Sequence, residues 1–252
     1  MFGAGVGVRA RHGWRPAAVL ALFLAAGVLV ARLPTAWIVA EPGRALPLEA
    51  VVPESDGRPA AGGGDYLLVA VAVRPARGAD VLAGFLRRDR VLWPRSVLGP
   101  GDPQAIVRAQ REALRSSQRD AVLAASRLLG REEAPVLRFR VPEEFGGPSG
   151  GLAFALAAVD ALSPGDLSGG RRVAASGTIT ADGVVGPVAG IALKSAAAAR
   201  AGAAVFFVPR GSVPATPGDL PGRLRLVEVS HLREAVRWLC DHGGRSSACP
   251  GF

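Results

Sequence analysis

An α+β fold, with helices packed on a mixed sheet, is what this chain of 252 residues predicts. Three observations carry the prediction. Tyr66 to Val73 (YLLVAVAV) is a continuous apolar run bounded by the glycines at 62 to 64 and by Pro75, the pattern of a buried strand. From Asp102 to Leu129, the residues Ile106, Ala109, Ala113, Leu114, Ala121, Ala124, Ala125 and Leu128 recur at helical spacing, and Gly130 supplies a stop. The C-terminal half then alternates short strands with short helices. A hydrophobic fraction of 49% is ample for a core, while Gly 33 and Pro 20 imply many turns.

The first forty positions read as targeting information. Arg9, Arg11 and Arg15 precede an apolar run from Ala17 to Ala31, which is interrupted at Arg32 and resumes weakly to Ala40. A transmembrane anchor over 17–40 is the favoured reading, with a cleaved signal sequence as the alternative. The arginines keep residues 1–16 cytoplasmic and place the remainder outside the cytoplasm, at the cell membrane. Residues 41–64 are rich in Pro, Gly and Ala and read as a linker, with one short strand near Leu48 to Val52. The domain proper follows over 65–242, and 243–252 form a tail.

Within that domain, residues 81 to 100 carry no assignable period. Asp102 with Pro103 forms an N-cap and first-turn proline for the long helix. Val136 to Val141 (VLRFRV) alternates apolar residues with arginine, a strand with one wet face. Arg171 to Thr180 and Val184 to Val188 read as two strands joined at Ala181-Asp182-Gly183, where Asp-Gly marks a tight hairpin. A helix over Ile191 to Ala201, strands over Ala204 to Val208 and Arg225 to Val229, and a helix over Leu232 to Asp241 complete the prediction.

Charge excludes little but directs attention. The formal net charge is +9, yet the arginines are thinly spread, Tyr occurs once, and no basic stripe is interleaved with aromatics, so nucleic acid is not an expected partner. The histidines His12, His231 and His242 are scattered without metal-ligand spacing, and neither a metal nor a cofactor is expected. Cys240 and Cys249 either close a small tail loop in an oxidising compartment or are simply packed.

The chain is organised around Gly146 to Ala199. Lysine and arginine together number 30, and Lys194 is the one lysine among them. Arginine serves as well at most surface sites but cannot release its proton near neutral pH, whereas a buried lysine can. Ile191, Lys194, Ser195 and Ala198 share one side of the predicted helix, so the amine is expected to be partly buried. Burial and the positive end of its own helix both lower its pKa. Upstream, GGPSGG sets Ser149 at a helix N-terminus, where unpaired amides point outward. A serine there caps the helix, or it attacks a carbonyl whose oxyanion those amides hold. Ser–Lys pairing is a known nucleophile and base arrangement that needs no histidine.

At these residues the chain resembles the proteolytic domain of the Lon family of Ser–Lys peptidases. GGPSGG matches the nucleophile motif GPSAG, with Gly150 in place of the usual alanine, and GPVAGIALKSAAAA of 186 to 199 matches the segment around the family's lysine. ASGTITADGVVG of 175 to 186 matches the paired strands whose threonine orients that lysine, and Ser176 keeps the hydroxyl there. The resemblance implies Ser149 as nucleophile, Lys194 as general base and later acid, Ser176 as the orienting group, and Gly147, Pro148 and Gly150 as motif or oxyanion backbone. It also implies polypeptide substrates and a homo-oligomeric ring. Together with the anchor and the absence of an ATPase region, it looks like the membrane-attached, ATP-independent branch, here without the PDZ module common in that branch.

Three functions are weighed. One is an ATP-independent serine endopeptidase, anchored in the membrane and cutting unfolded or loop segments of envelope proteins. The second is a catalytically inactive interaction module on the same fold at the membrane, suggested by Gly150 and by the missing PDZ module. Last comes another Ser–Lys class such as a signal peptidase, whose serine would stand much nearer the anchor.

Overall fold

The computed structural model describes residues 14–48, 50–51, 64–84, 90–212 and 224–249. Readings on residues 1–13, on 52–63 of the linker, on the loop with Pro214 and Pro217, and on the last three residues of the tail lie outside the described residues. The chain divides into two compact units, one formed by Met1–Val39 with Val73–Arg95 and the other by Ala40–Ala72 with Ser96–Phe252.

The first unit holds helix α1 (Trp14–Arg32), the opening of strand β1 (Pro34–Pro47), the end of strand β3 (Asp65–Arg77), helix α2 (Gly78–Gly84) and strand β4 (Val91–Pro94). The expectation of a helical span over 17–40 is corrected here. The helix stops at Arg32 and the chain runs extended from Pro34, because proline has no N–H to give and drives the residue before it out of helical geometry. Bounded by Arg15 and Arg32, the apolar part rises roughly 24 Å at 1.5 Å per residue, short of the ~30 Å hydrocarbon core. No helix among the described residues is long and apolar enough to cross a membrane. Strand β1 also takes up residues 41–47, which the composition alone reads as linker.

The second unit contains the rest of β1 and β3, strand β2 (Ala50–Val51), helix α3 (Pro103–Leu128), strand β5 (Arg138–Phe139) and helix α4 (Gly151–Leu162). There follow β6 (Gly165–Asp166), β7 (Arg172–Ala175), β8 (Thr178–Ile179), β9 (Val185–Gly186), α5 (Ile191–Arg200), β10 (Val205–Pro209), β11 (Arg225–Val229), α6 (Leu232–Asp241) and β12 (Arg245–Ser246). Its sheet runs in the order β11-β10-β7-β3-β1, and β11, β10, β7 and β3 are parallel neighbours.

Strand periodicity explains why those parallel strands read as unbroken apolar runs. Tyr66, Leu68, Val173, Ala175, Val205 and Phe207 point to one face, where they join Leu152, Leu156, Ala121, Val236 and Leu239 of α4, α3 and α6. Leu67, Val69, Ala174, Phe206 and Val208 point to the other and pack with Ile191, Ala197 and Ala198 of α5. Helices therefore cover both faces. Between α3 and the sheet, α4 is buried on every side from Gly151 to Asp160, as a helix apolar all round must be.

One carboxylate sits in that buried helix. Asp160 is 3% exposed and accepts the backbone N–H of Leu167 at 2.8 Å and of Gly64 at 2.9 Å, tying the end of α4 to the start of β3. Burial raises its pKa, and the two amides oppose the rise. At the far end of the unit, a disulfide joins Cys240 to Cys249 and holds the tail against α6, resolving the two readings of this pair.

The Asp160 brace predicts a measurable loss. Asp160→Ala leaves two backbone donors without their acceptor and should lower unfolding stability by ~2–4 kcal/mol, read from urea titration by far-UV circular dichroism. Asp160→Asn, which keeps one acceptor oxygen, should lose less. Equal stability of the alanine variant and the parent would refute the brace.

Candidate functional site

Ser149 lies in a single 3-10 turn, Pro148–Gly150, that opens directly into α4. The preceding residue fixes its entry. Gly147 has φ 86°, in the left-handed region that costs glycine nothing, and a β-carbon there would stand 2.7 Å from the Gln110 side-chain oxygen. Its amide donates to the Gln110 carbonyl at 2.8 Å, and the Ser117 hydroxyl donates to the Pro148 carbonyl at 3.1 Å. Gln110 and Ser117 are two helical turns apart on one face of α3, so this helix grips the turn at two points.

Sequence reasoning passed over both residues. A signal was present: Ser117 falls on the apolar stripe of α3, in line with Leu114, Ala121 and Ala124, where a polar side chain needs a partner.

On the opposite side, the Ser149 carbonyl accepts from the Gly177 amide at 2.8 Å and from the Ser176 hydroxyl at 3.1 Å. Ser176 follows the carboxyl end of β7, is fully buried, and is itself held by its amide to the Phe207 carbonyl at 3.0 Å. Its oxygen in turn accepts from Lys194 Nζ at 2.9 Å. Hydrogen bonds thus link the Lys194 amine, the Ser176 hydroxyl and the backbone of Ser149 in one continuous chain.

Lys194 is 4% exposed. It sits one turn into α5, whose start is set by Gly190 in left-handed geometry, and its amide donates to the Gly190 carbonyl at 2.9 Å. Burial disfavours the ammonium and lowers its pKa from 10.5 to about 8. A usable fraction of neutral amine is therefore present near neutral pH.

The motif backbone divides into separate tasks. Gly147's amide is committed to Gln110, Pro148 has no N–H, the Gly151 amide donates to the Pro148 carbonyl and the Leu152 amide to the Gly177 carbonyl at 3.1 Å, so the amides of Ser149 and Gly150 are the ones left at the start of the turn. Gly150 and Gly151 are there because the surroundings leave no room for a side chain. A β-carbon on Gly150 would lie 2.3 Å from Leu68 Cδ1 and 3.1 Å from Phe154 Cε2, and one on Gly151 would lie 2.7 Å from Ile179 Cγ2.

Gly150→Ala should therefore destabilise the chain by ~1–3 kcal/mol through overpacking. In the background of Leu68→Ala the same substitution should cost less, giving a coupling of at least ~0.5 kcal/mol in a double-mutant cycle of urea unfolding. Additive costs would show that Leu68 is not what excludes the alanine.

The sequence around the site is similar to known proteins. Residues 139–240 match the family model of the Lon protease (S16) C-terminal proteolytic domain. A Lon protease of Heliobacterium modesticaldum is 31% identical over 182 residues, covering 69% of this chain and 20% of the relative. A Lon protease of Roseiflexus castenholzii is 29% identical over 177 residues, and Lon protease 2 of Herpetosiphon aurantiacus is 28% identical over 184, each with the same 69% and 20% coverage. The chain thus spans about a fifth of the length of the curated relatives it matches. Residues 139–240, which carry Ser149, Ser176 and Lys194, belong to the Lon protease C-terminal proteolytic domain family.

Proposed function

We infer that the chain is a serine endopeptidase in which Ser149 and Lys194 form the catalytic dyad. The observation that carries this reading is the buried Lys194 amine, hydrogen-bonded to Ser176 and through it to the backbone of Ser149. In its neutral form the amine accepts the Ser149 hydroxyl proton as Oγ attacks the scissile carbonyl. Amides of Ser149 and Gly150 take the tetrahedral oxyanion. The resulting ammonium returns its proton to the departing amine, leaving an acyl-serine. Water then attacks the ester with the amine again as base, which frees the new carboxyl end and restores Ser149. Ser176 positions the amine throughout.

Hydrolysis uncoupled from ATP belongs to the proposal on the strength of the resemblance to the ATP-independent branch of the family. The Cys240–Cys249 disulfide supports a site of action in an oxidising compartment outside the cytoplasm, with unfolded or loop segments of envelope polypeptides as substrates. A homo-oligomeric ring belongs to the same proposal on the strength of the family resemblance.

Cleavage of casein by the full chain is the direct test. Ser149→Ala should abolish it, and Lys194→Arg, which keeps the charge but cannot serve as base, should reduce it by about 10²- to 10⁴-fold. Full activity in either variant would remove the dyad. A second expectation concerns pH. Because the base must be deprotonated and its pKa is about 8, kcat/KM should climb as pH rises toward 8 and level off above it. A profile that is flat or falls from pH 6 to 9 would rule Lys194 out as the base.

A further inference from the structure

Gln110 holds the nucleophile turn through its backbone carbonyl, which leaves its side chain to be explained. We propose that the Gln110 carboxamide binds the main chain of the polypeptide to be cut, beside the scissile bond. This rests on the peptidase reading and names a substrate-binding residue for it.

The two glycines that open GGPSGG decide where this side chain lies. The Gly147 amide donates to the Gln110 carbonyl at 2.8 Å, so the turn and α3 are in direct contact. A β-carbon on Gly146 would stand 3.0 Å from Gln110 Cβ, and one on Gly147 would stand 2.7 Å from Gln110 Oε1. Side chains at 146 and 147 would therefore crowd Gln110, and their absence gives its carboxamide a place against the turn. Its oxygen rests on Gly147, two residues before Ser149. Two residues span at most about 7.6 Å. Because an extended chain advances ~3.3 Å per residue, a substrate attacked by Ser149 passes the carboxamide within roughly three residues of the scissile bond.

Chemistry selects what the group takes. Gln110 is partly exposed, and among the described residues its carboxamide has no hydrogen-bond partner, whereas the Ser117 hydroxyl on the same face of α3 is taken by the Pro148 carbonyl. A carboxamide offers a carbonyl acceptor and an amino donor. A peptide unit presents the reverse pair, an N–H and a C=O, and carries them whatever its side chain. The match therefore reads the main chain and is indifferent to sequence. An arginine or a glutamate at this position would instead favour one charge in the substrate.

Helix α3 gives the carboxamide a firm base. Gln110 lies about two turns beyond the Asp102 cap, inside a continuous helix, and Ser117 pins that helix to the turn two turns later. A group on a braced helix is held more precisely than one on a loop, which is what alignment of a peptide bond with Ser149 requires.

The test variant is Gln110→Leu, which keeps the bulk and the main-chain bond to Gly147 but removes the carboxamide. It is made in the full chain carrying Ser149→Ala, which binds without cutting, and the probe is a short fluorescein-labelled casein fragment followed by anisotropy. Its Kd should rise about three- to tenfold in the variant. The same fragment is then synthesised with one peptide link at a time replaced by an ester, which removes an N–H and weakens a carbonyl. At least one ester should weaken binding to the chain with Gln110 and make no difference to the chain with Gln110→Leu. Equal affinity of the two chains, no binding by either, or ester penalties that are the same in both, as a merely structural role for Gln110 would give, overturns the proposal. Casein cleavage by the chain with Ser149 intact reports on the peptidase reading separately.

Discussion

The burial of one amine sets the terms for the rest of the site. Lys194 is 4% exposed and its bonded neighbour is a hydroxyl, not a carboxylate. Depressing its pKa from 10.5 to about 8 corresponds to roughly 3 kcal/mol of disfavour for the ammonium at that position. The fold has to supply that from packing. It does so through α5, where Ile191, Ala197 and Ala198 sink into the apolar face made by Leu67, Val69, Ala174, Phe206 and Val208. A loosely docked α5 would let water reach the amine, and its pKa would return toward the solvent value.

The parallel sheet determines where that amine can find a partner. Helices on both faces of β3, β7 and β10 leave the carboxyl ends of the strands as the place where loops converge. Ser176 follows immediately on β7, and its amide stays bonded to Phe207 of β10, so its hydroxyl is positioned by the sheet and not by a loose turn. From there it reaches Lys194 on α5 and Ser149 ahead of α4. Three elements that approach from different layers meet at a single hydroxyl. Ser149 is held from the other side by α3, through Gln110 and Ser117, which makes the nucleophile turn a bridge between two helices and a strand.

Local chemistry was legible in the sequence wherever one element decides its own fate. Strand Arg225–Val229 and helix Leu232–Asp241 have the limits that their patterns predict, and Asp102 caps α3 through the amides of Gln104 and Ala105. Partnership between distant elements was not legible. The strand predicted over 136–141 is confined to Arg138–Phe139, which pair with Val51 and Ala50 of β2. Residues 171–180 read as one arm of a hairpin, yet β7 pairs in parallel with β3 and β10, and only β8 and β9 fold back on each other across Gly183. The same limit applies to the site. Burial of Lys194 follows from its own helix, whereas Gln110, Ser117 and Leu68 enter only through contacts made far along the chain.

Leu68 bears on the meaning of Gly150, the one departure from the family's nucleophile motif. Taken alone, the loss of a methyl group beside a nucleophile invites the view that the site has decayed. The structure places Leu68 Cδ1 where that methyl would be, 2.3 Å from the β-carbon position, with the Phe154 ring edge close by. Leu68 of β3 fills the space that this methyl would take. The turn keeps its shape, since Gly147, Pro148 and the two grips from α3 are independent of the side chain at 150. With that space filled, the Lys194 amine, the Ser176 hydroxyl and the Ser149 backbone carbonyl remain in one hydrogen-bonded chain. The packing of Leu68 is by itself a sufficient reason for glycine at this position.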